Sequence, residues 1–132
     1  MNIINISGLY NVSPQILPLD VITLSEKGFE KVICNRPDFE VPPDLQSKEI
    51  EKVAKEVGIL FEYHPLTHDT MHGHNIEKQM EFADACKNPV LAYCASGTRC
   101  TVVWALGQIG KMPKDEILAT TLRSGYNLTG LL

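Results

Sequence analysis

One short stretch of the chain combines a cysteine, small residues and an arginine. It reads Cys94-Ala95-Ser96-Gly97-Thr98-Arg99, with an apolar run over residues 90–93 before it and another over 101–106 after it. This pattern predicts a buried strand, a tight loop and then a helix. Because a helix N-terminus presents free N–H groups and a positive dipole, the loop can bind an oxyanion and favour the thiolate form of Cys94. Arg99 would add a permanent positive charge and a fork of N–H donors.

These residues together predict a nucleophile beside an anion-binding loop. Cys94 and Arg99 are the candidate catalytic residues, and Ala95, Ser96, Gly97 and Thr98 would bind the substrate together with Arg99. Gly97 suits a loop position that needs a positive φ or a close approach to a ligand. A buried cysteine without chemical function is the alternative explanation of Cys94. The spacing from cysteine to arginine, with a strand before it and a helix after it, favours the nucleophile.

The loop also carries a family resemblance. It resembles the active-site loop of rhodanese-type sulfurtransferases, which spans six residues from cysteine to arginine as here. Protein tyrosine and dual-specificity phosphatases have a related loop with one residue more. The rest of the chain is similar to the family called beta-lactamase-hydrolase-like protein, phosphatase-like domain. The matching stretches are Ser13-Pro14-Gln15, residues 28–38, residues 89–94 and Ser124-Gly125-Tyr126.

The resemblance implies a fold, and the loop of this chain departs from the family's usual sequence at two positions. Residues 1–132 would form one domain with a three-layer α/β fold, a mainly parallel sheet flanked by helices as in cysteine (dual-specificity) phosphatases. The family commonly has arginine where this chain has Ala95, so one positive charge near the anion is missing. It commonly has serine where this chain has Cys100. That cysteine either resolves an oxidised Cys94 as a disulfide or simply replaces the serine.

Strands and helices are predicted to alternate along the whole chain. An opening strand or hairpin covers residues 3–12, and further strands cover 31–34, 59–63 and 90–93. Helices are predicted between them, one capped by Asp44 and one by Asn75. Strands separated by helices favour right-handed crossovers and a mainly parallel sheet. Ligands bind beyond the carboxyl ends of such strands, which is where Cys94 lies.

One loop-like segment holds all four histidines of the chain, which are His64, His68, His72 and His74. The last three could converge on a metal ion, but no helical pattern enforces ligand spacing, and no metal is expected. Cysteine phosphatases carry an aspartic acid on a loop upstream of the nucleophile, so the resemblance implies Asp69 as a candidate general acid. His68 and His72 are alternatives for the same proton transfer. An exposed aspartate without chemical function is the simpler interpretation of Asp69.

Two further residues are candidates for the rim of the pocket, namely Arg36 and His68. Arg36 follows the predicted strand at residues 31–34 and can reach the same edge of the sheet. There it would supply the positive charge missing at Ala95. The alternative is a surface salt bridge with Asp38 or Glu40.

The charge balance excludes some classes of partner. The chain of 132 residues has 12 lysines and arginines against 16 acidic residues, for a formal net charge of −4. This balance disfavours nucleic acid and anionic membranes as partners. No apolar run is long enough to span a bilayer. We therefore expect a cytoplasmic protein without a cofactor, with its four cysteines reduced.

Three functions remain open on the sequence. The loop length favours a sulfurtransferase, in which Cys94 takes sulfane sulfur from thiosulfate or a persulfide and passes it to cyanide or to a thiol such as glutathione. The alternative is a cysteine-dependent phosphatase with a phosphocysteine intermediate and Asp69 as the acid. The third is a module that carries an anion or a persulfide without turnover. The family resemblance further implies a persulfide dioxygenase or another sulfide-oxidising enzyme as a partner.

Overall fold

A central sheet of five strands organises the chain, and the computed structural model describes all of it, residues 1–132. The strands are β1 (Ile4–Ser7), β2 (Tyr10–Ser13), β3 (Lys31–Cys34), β4 (Leu60–Tyr63) and β5 (Val90–Tyr93). Their order across the sheet is β1-β2-β5-β3-β4. β1 and β2 form an antiparallel hairpin at one edge, and all other neighbours are parallel. The predicted mainly parallel sheet is therefore confirmed.

Five helices cover the two faces of the sheet. They are α1 (Pro18–Glu26), α2 (Ser47–Val57), α3 (His74–Asp84), α4 (Thr98–Gly107) and α5 (Lys114–Arg123). Three short 3-10 turns, Asp38–Glu40, Pro43–Leu45 and His68–Thr70, lie in the loops that follow β3 and β4. None of the helices has the length and apolar character that crossing a membrane would require.

Side-chain alternation along the strands divides the core into two clusters. Val32 and Leu91 belong to a cluster with residues of α1 and α2, whereas Ile33 and Ala92 belong to one with residues of α3, α4 and α5. Both faces of the central strands are thus buried, as is usual for parallel sheets. This arrangement confirms the three-layer architecture.

The N-terminus of α2 differs from the prediction. Asp44 was predicted to cap this helix, but it lies inside the 3-10 turn Pro43–Leu45. The carboxylate of Asp38 accepts hydrogen bonds from the backbone N–H of Ser47 at 2.7 Å and from its hydroxyl at 2.9 Å. Pro42 has an extended backbone and Pro43 begins the turn. The helix therefore starts only at Ser47, three residues after Asp44. The capping bonds also anchor the 3-10 turn Asp38–Glu40.

A chain of buried polar side chains joins five parts of the fold. Gln79 of α3 is fully buried, and its amide donates to Asn35 at 2.8 Å and to the hydroxyl of Tyr10 at 3.2 Å. Its carbonyl oxygen lies 2.9 Å from the amide nitrogen of Asn35 and 2.8 Å from Nδ1 of His64. The hydroxyl of Tyr10 in turn donates to the carbonyl of Cys100 at 2.7 Å. The chain therefore runs from the loop after β4 to the first turn of α4.

Candidate active site

The loops that follow β2, β3, β4 and β5 meet at the carboxyl edge of the parallel strands. The backbone N–H of Cys94 donates to the carbonyl of Ser13, and that of Gln15 donates to the carbonyl of Ala95, both at 3.4 Å. The backbone N–H of Asn35 donates to the carbonyl of Tyr93 at 2.9 Å. These bonds hold the cysteine loop between the ends of its neighbouring strands. The cysteine loop thus lies beyond the carboxyl ends of parallel strands, the edge at which ligands bind in such sheets.

Cys94 is surrounded by hydrogen-bond donors although only 1% of it is exposed. The backbone N–H of Gly97 donates to its Sγ atom at 3.1 Å. A hydrogen bond from the Cys100 side chain, together with backbone N–H groups of Cys100, Ser96 and Gly97, lowers the pKa of Cys94 to about 5, against the opposing effect of burial. Cys94 is therefore a thiolate at neutral pH.

The other three cysteines differ from Cys94 in this respect. Burial raises the pKa of Cys34 to about 11 and also raises the pKa of Cys86. Burial, and then the hydrogen bond to Cys94, raise the pKa of Cys100. Cys100 therefore keeps its proton and donates it toward the thiolate, as a serine hydroxyl would. The chain has one activated thiol, at the position predicted for the nucleophile.

Arg99 is held in one orientation by acceptors from two other loops. Its Nη1 and Nη2 atoms donate to the two carboxylate oxygens of Glu40, each at 2.8 Å. Nη1 also donates to the carbonyl of Leu66 at 3.0 Å. The guanidinium of Arg99 holds the pKa of the Glu40 carboxyl below its ordinary value. Both partners are partly buried, at 21% and 25% side-chain exposure, which favours a fixed ion pair over a mobile one.

This arrangement leaves one edge of the Arg99 guanidinium available for a ligand. A guanidinium carries five N–H donors, two on each Nη and one on Nε. Glu40 and Leu66 take both donors of Nη1 and one of Nη2. The remaining two, on Nε and Nη2, lie on the same side of the planar group. That side can bind two oxygens of one oxyanion.

A tyrosine from the end of the chain supports the cysteine loop. The hydroxyl of Tyr126 donates to the carbonyl of Ser96 at 3.1 Å. Gly97 has φ of +89°, and a side chain at that position would collide with the hydroxyl of Tyr126. Thr101 fixes the next peptide, since its hydroxyl donates to the carbonyl of Gly97 at 2.8 Å. The expected positive φ of Gly97 is thus present, together with a close approach.

The predicted rim residues lie near Arg99. A cavity of about 400 Å³ is lined by Glu40, Thr67, His68, Met71, Thr98, Arg99, Val102, Leu106 and Leu131. Arg36 lies beyond Glu40, with its Nε atom 3.3 Å from the Glu40 carboxylate and its Nη1 donating to the side chain of Gln15 at 3.3 Å. The ion pair with Glu40 that was an alternative for Arg36 is therefore present, and it adds positive charge around the carboxylate that orients Arg99.

Asp69 lies on the loop expected for a general acid. It is an exposed residue in the 3-10 turn His68–Thr70, beside a residue that lines the cavity of Arg99. The bond from Arg99 to Leu66 ties the start of this loop to the site. Of the other histidines, His64 is buried in the polar chain, His72 is exposed, and His74 lies 3.8 Å from Glu77.

Sequence reasoning missed the roles of Glu40 and Tyr126. Glu40 was considered only as a surface partner of Arg36, and Tyr126 only as part of a matching stretch. The signal for Glu40 is its place, an acidic residue in the loop after β3 and hence at the carboxyl edge of the sheet. No local pattern in the sequence points to Tyr126, because its contact with Ser96 joins residues far apart in the chain.

Comparisons with known proteins identify the relatives of this chain. The family model described as Beta-lactamase hydrolase-like protein, phosphatase-like domain, matches residues 3–111. A Beta-lactamase hydrolase-like protein of Xylella fastidiosa is 25% identical over 130 residues, which are 97% of this chain but only 30% of the relative. The chain thus spans less than a third of the length of the curated relatives it matches.

Solved structures show the same fold. A crystal structure of a candidate phosphatase from Neisseria meningitidis superposes with a TM-score of 0.86 at 30% identity, covering 99% of this chain and 94% of that one. A kinase associated phosphatase superposes with a TM-score of 0.74 at 12% identity, covering 93% and 82% of the two chains. The predicted cysteine-phosphatase-like fold is confirmed, and the matching family and the Neisseria meningitidis structure support an enzyme.

The prediction of a rhodanese-like sulfurtransferase is wrong. The matching family is a phosphatase-like domain and the Neisseria meningitidis structure is that of a candidate phosphatase, and both agree with the alternative. The prediction relied on the number of residues between Cys94 and Arg99. A loop closed by Gly97 with positive φ still directs an N–H group at Cys94 and brings Arg99 to the site within that shorter span. Loop length therefore does not separate the two chemistries here.

Proposed function

The chain belongs to the family of beta-lactamase hydrolase-like protein, phosphatase-like domain, and on this premise we propose that it hydrolyses phosphate monoesters through a phosphocysteine at Cys94. One observation carries the proposal. The thiolate of Cys94 lies at the N-terminal end of α4, where Gly97 directs an N–H group at it and Arg99 keeps one edge for an oxyanion. A nucleophile and an anion site are thereby held by the same loop.

In the first step, Cys94 Sγ attacks the phosphorus atom of the ester. The S–P bond forms as the P–O bond to the alcohol breaks, and the leaving oxygen takes a proton from the carboxylic acid of Asp69. The free edge of Arg99 and the N–H groups of the loop hold the non-bridging oxygens, on which negative charge is concentrated. Asp69 ends this step as a carboxylate.

In the second step, water attacks the phosphocysteine. Asp69 takes a proton from this water as the new P–O bond forms, and the S–P bond breaks with its electron pair returning to Cys94. Inorganic phosphate leaves, and both Cys94 and Asp69 are restored. The low pKa of Cys94 makes its thiolate a good leaving group in this step.

Support for Asp69 as the acid comes from its position. It lies in the turn that follows β4, one residue after His68, which lines a cavity with Arg99. A protonated aspartic acid can donate to an alkoxide or phenoxide leaving group. His68 is the competing acid, because its side chain lines the cavity of Arg99 and Asp69 does not. The two candidates are separated by substitution.

The test is steady-state hydrolysis of two esters that differ in leaving group, p-nitrophenyl phosphate and phenyl phosphate. Cys94→Ser is expected to abolish turnover of both. Asp69→Asn is expected to slow phenyl phosphate by about 10²-fold or more, because its poorer leaving group needs the proton, and to slow p-nitrophenyl phosphate much less. Cys86→Ser is the matched control and should keep the wild-type rate. Turnover that persists in Cys94→Ser would contradict the proposal, and a larger leaving-group effect in His68→Asn than in Asp69→Asn would transfer the acid role to His68.

A further inference from the structure

We infer that Tyr126 is a positioning residue, whose hydroxyl holds the Ser96–Gly97 peptide so that its N–H points at Cys94. Its effect on turnover rests on the proposed function, but its effect on the thiolate does not. The inference follows from the geometry of a single peptide plane, from the space around Gly97 and from the way the Tyr126 segment is anchored.

The peptide between Ser96 and Gly97 is hydrogen-bonded on both sides. Its carbonyl oxygen accepts the hydroxyl of Tyr126 at 3.1 Å, and its N–H donates to Sγ of Cys94 at 3.1 Å. All peptide bonds of the chain are trans, and in a trans peptide the C=O and N–H point in opposite directions. Fixing the carbonyl toward Tyr126 therefore fixes the N–H toward Cys94.

The loop needs such an external support. Gly97 has φ of +89° and lacks a side chain, so the peptide before it can rotate more easily than at other residues. The following peptide has its own support, since Thr101 donates to the carbonyl of Gly97. The hydroxyl of Tyr126 occupies the place where a Gly97 side chain would lie. Within the loop, no other side chain donates to the carbonyl of Ser96.

The Tyr126 segment is anchored independently of the cysteine loop. The backbone N–H of Tyr126 donates to the carbonyl of Thr121 at 2.9 Å, which ties the segment to the end of α5. The hydroxyl of Ser124 donates to the carbonyl of Asn5 at 2.9 Å, which ties the same segment to β1. The phenol is thus presented to the loop from a fixed part of the fold.

Removing the Tyr126 hydroxyl removes no charge from the surroundings of Cys94. The ionisable groups that interact with the charge of Cys94 are Cys34 from β3, Tyr10 from β2, Arg99 and Cys100 from α4, and Tyr126 itself. Burial raises the pKa of Tyr126 above its ordinary value, so its phenol is neutral at neutral and acidic pH. A change of the Cys94 pKa in Tyr126→Phe therefore reports the orientation of the peptide and not the loss of a charge.

The experiment measures alkylation of Cys94 by iodoacetamide as a function of pH, with the modified residue located by mass spectrometry. Tyr126→Phe keeps the ring and loses the hydroxyl, and we expect the pKa of Cys94 to rise by about one unit, since one N–H bond to the thiolate weakens. Below both pKa values the alkylation rate then falls by up to roughly tenfold, because the thiolate fraction falls tenfold per unit. The kcat for p-nitrophenyl phosphate should fall with it, whereas KM should stay within about twofold.

Tyr63→Phe is the matched control, since it removes a phenol hydroxyl that accepts a backbone N–H of Asp38 outside the loop. It should leave the alkylation profile unchanged. Ser124→Ala is a second variant, which loosens the Tyr126 segment and should raise the pKa of Cys94 by a smaller amount. A Tyr126→Phe protein that melts like the wild type and shows the same alkylation profile would overturn the inference. A shifted profile in a protein that hydrolyses no phosphate ester would uphold it and contradict the proposed function instead.

Discussion

Glu40 provides the sharpest test of how the anion site is organised. Its carboxylate accepts two bonds of 2.8 Å from the guanidinium of Arg99. A hydrogen bond to a charged group contributes about 1.5–3 kcal/mol. The lower end applies here, because the two side chains are 21% and 25% exposed. Glu40→Gln keeps one acceptor oxygen and loses one bond, so we expect a loss of about 1.5 kcal/mol, or roughly tenfold in kcat.

An opposing effect sets the sign of the change in KM. The Glu40 carboxylate is negative and repels an anionic ester, so its neutralisation favours substrate binding. Glu40→Gln should therefore lower kcat without raising KM. Glu40→Asp is the matched variant, because it keeps the charge but is one methylene too short to reach both Nη atoms. A comparable loss of kcat in both variants identifies orientation of Arg99, and not charge, as the cause.

The assay is steady-state hydrolysis of p-nitrophenyl phosphate, with thermal unfolding as a check of the fold. A folded Glu40→Gln protein with wild-type or higher kcat would refute the reasoning. The pH dependence gives a second check. The pKa of Glu40 is lowered by Arg99, so the stability from this pair is complete above the ordinary carboxyl pKa of about 4.3 and is lost as pH falls through the lowered value. The difference in stability between wild type and Glu40→Gln should therefore shrink only in acid.

Two further predictions concern the cysteine loop. Cys100→Ala removes the strongest donor to Cys94 and should raise the pKa of Cys94 by about one to two units in iodoacetamide titration. Cys100→Ser keeps a donor and should shift this pKa by less than about half a unit. Equal shifts in both variants would contradict the donor role of Cys100. Gly97→Ala places a side chain at φ of +89° against the Tyr126 hydroxyl and should destabilise the protein by about 1–3 kcal/mol in urea unfolding. Gly110→Ala has nearly the same φ, +88°, with open space around it, and should cost less; equal losses would contradict the close approach.

The parts of the site that the sequence predicts are those formed by consecutive residues. An apolar run ending at Cys94, small residues and a second apolar run are enough to predict strand, loop and helix, and the structure has β5 and α4 there. The alternation of strands and helices is enough to predict a mainly parallel sheet, but the order of its strands comes only from the structure. Asp69 could be proposed because the resemblance to cysteine phosphatases implies an acid on the loop upstream of the nucleophile, and its role stays a prediction.

What the sequence does not predict depends on contacts between distant segments. Glu40 meets Arg99 across 59 positions, and Tyr126 meets Ser96 across 30. In the sequence, neither Glu40 nor Tyr126 differs from an ordinary surface residue, because the contact of each depends on how distant loops pack together. The cap of α2 was missed for a related reason, because Asp38 reaches Ser47 across a proline-rich turn that disqualifies the nearer Asp44. The wrong choice of chemistry came from counting loop residues without knowing their backbone conformation.

The buried chain of Tyr10, Asn35, His64 and Gln79 has a consequence for how the protein assembles. Asn35 directly follows β3, and its partner Gln79 comes from α3, which packs against one face of the sheet. If β3 slipped by one residue against β5, its side chains would exchange faces and the amides would lose each other. Each buried group left without a partner costs about 1–3 kcal/mol. The same four side chains therefore favour the native register over a shifted one, in which the nucleophile and its arginine would also be displaced from each other.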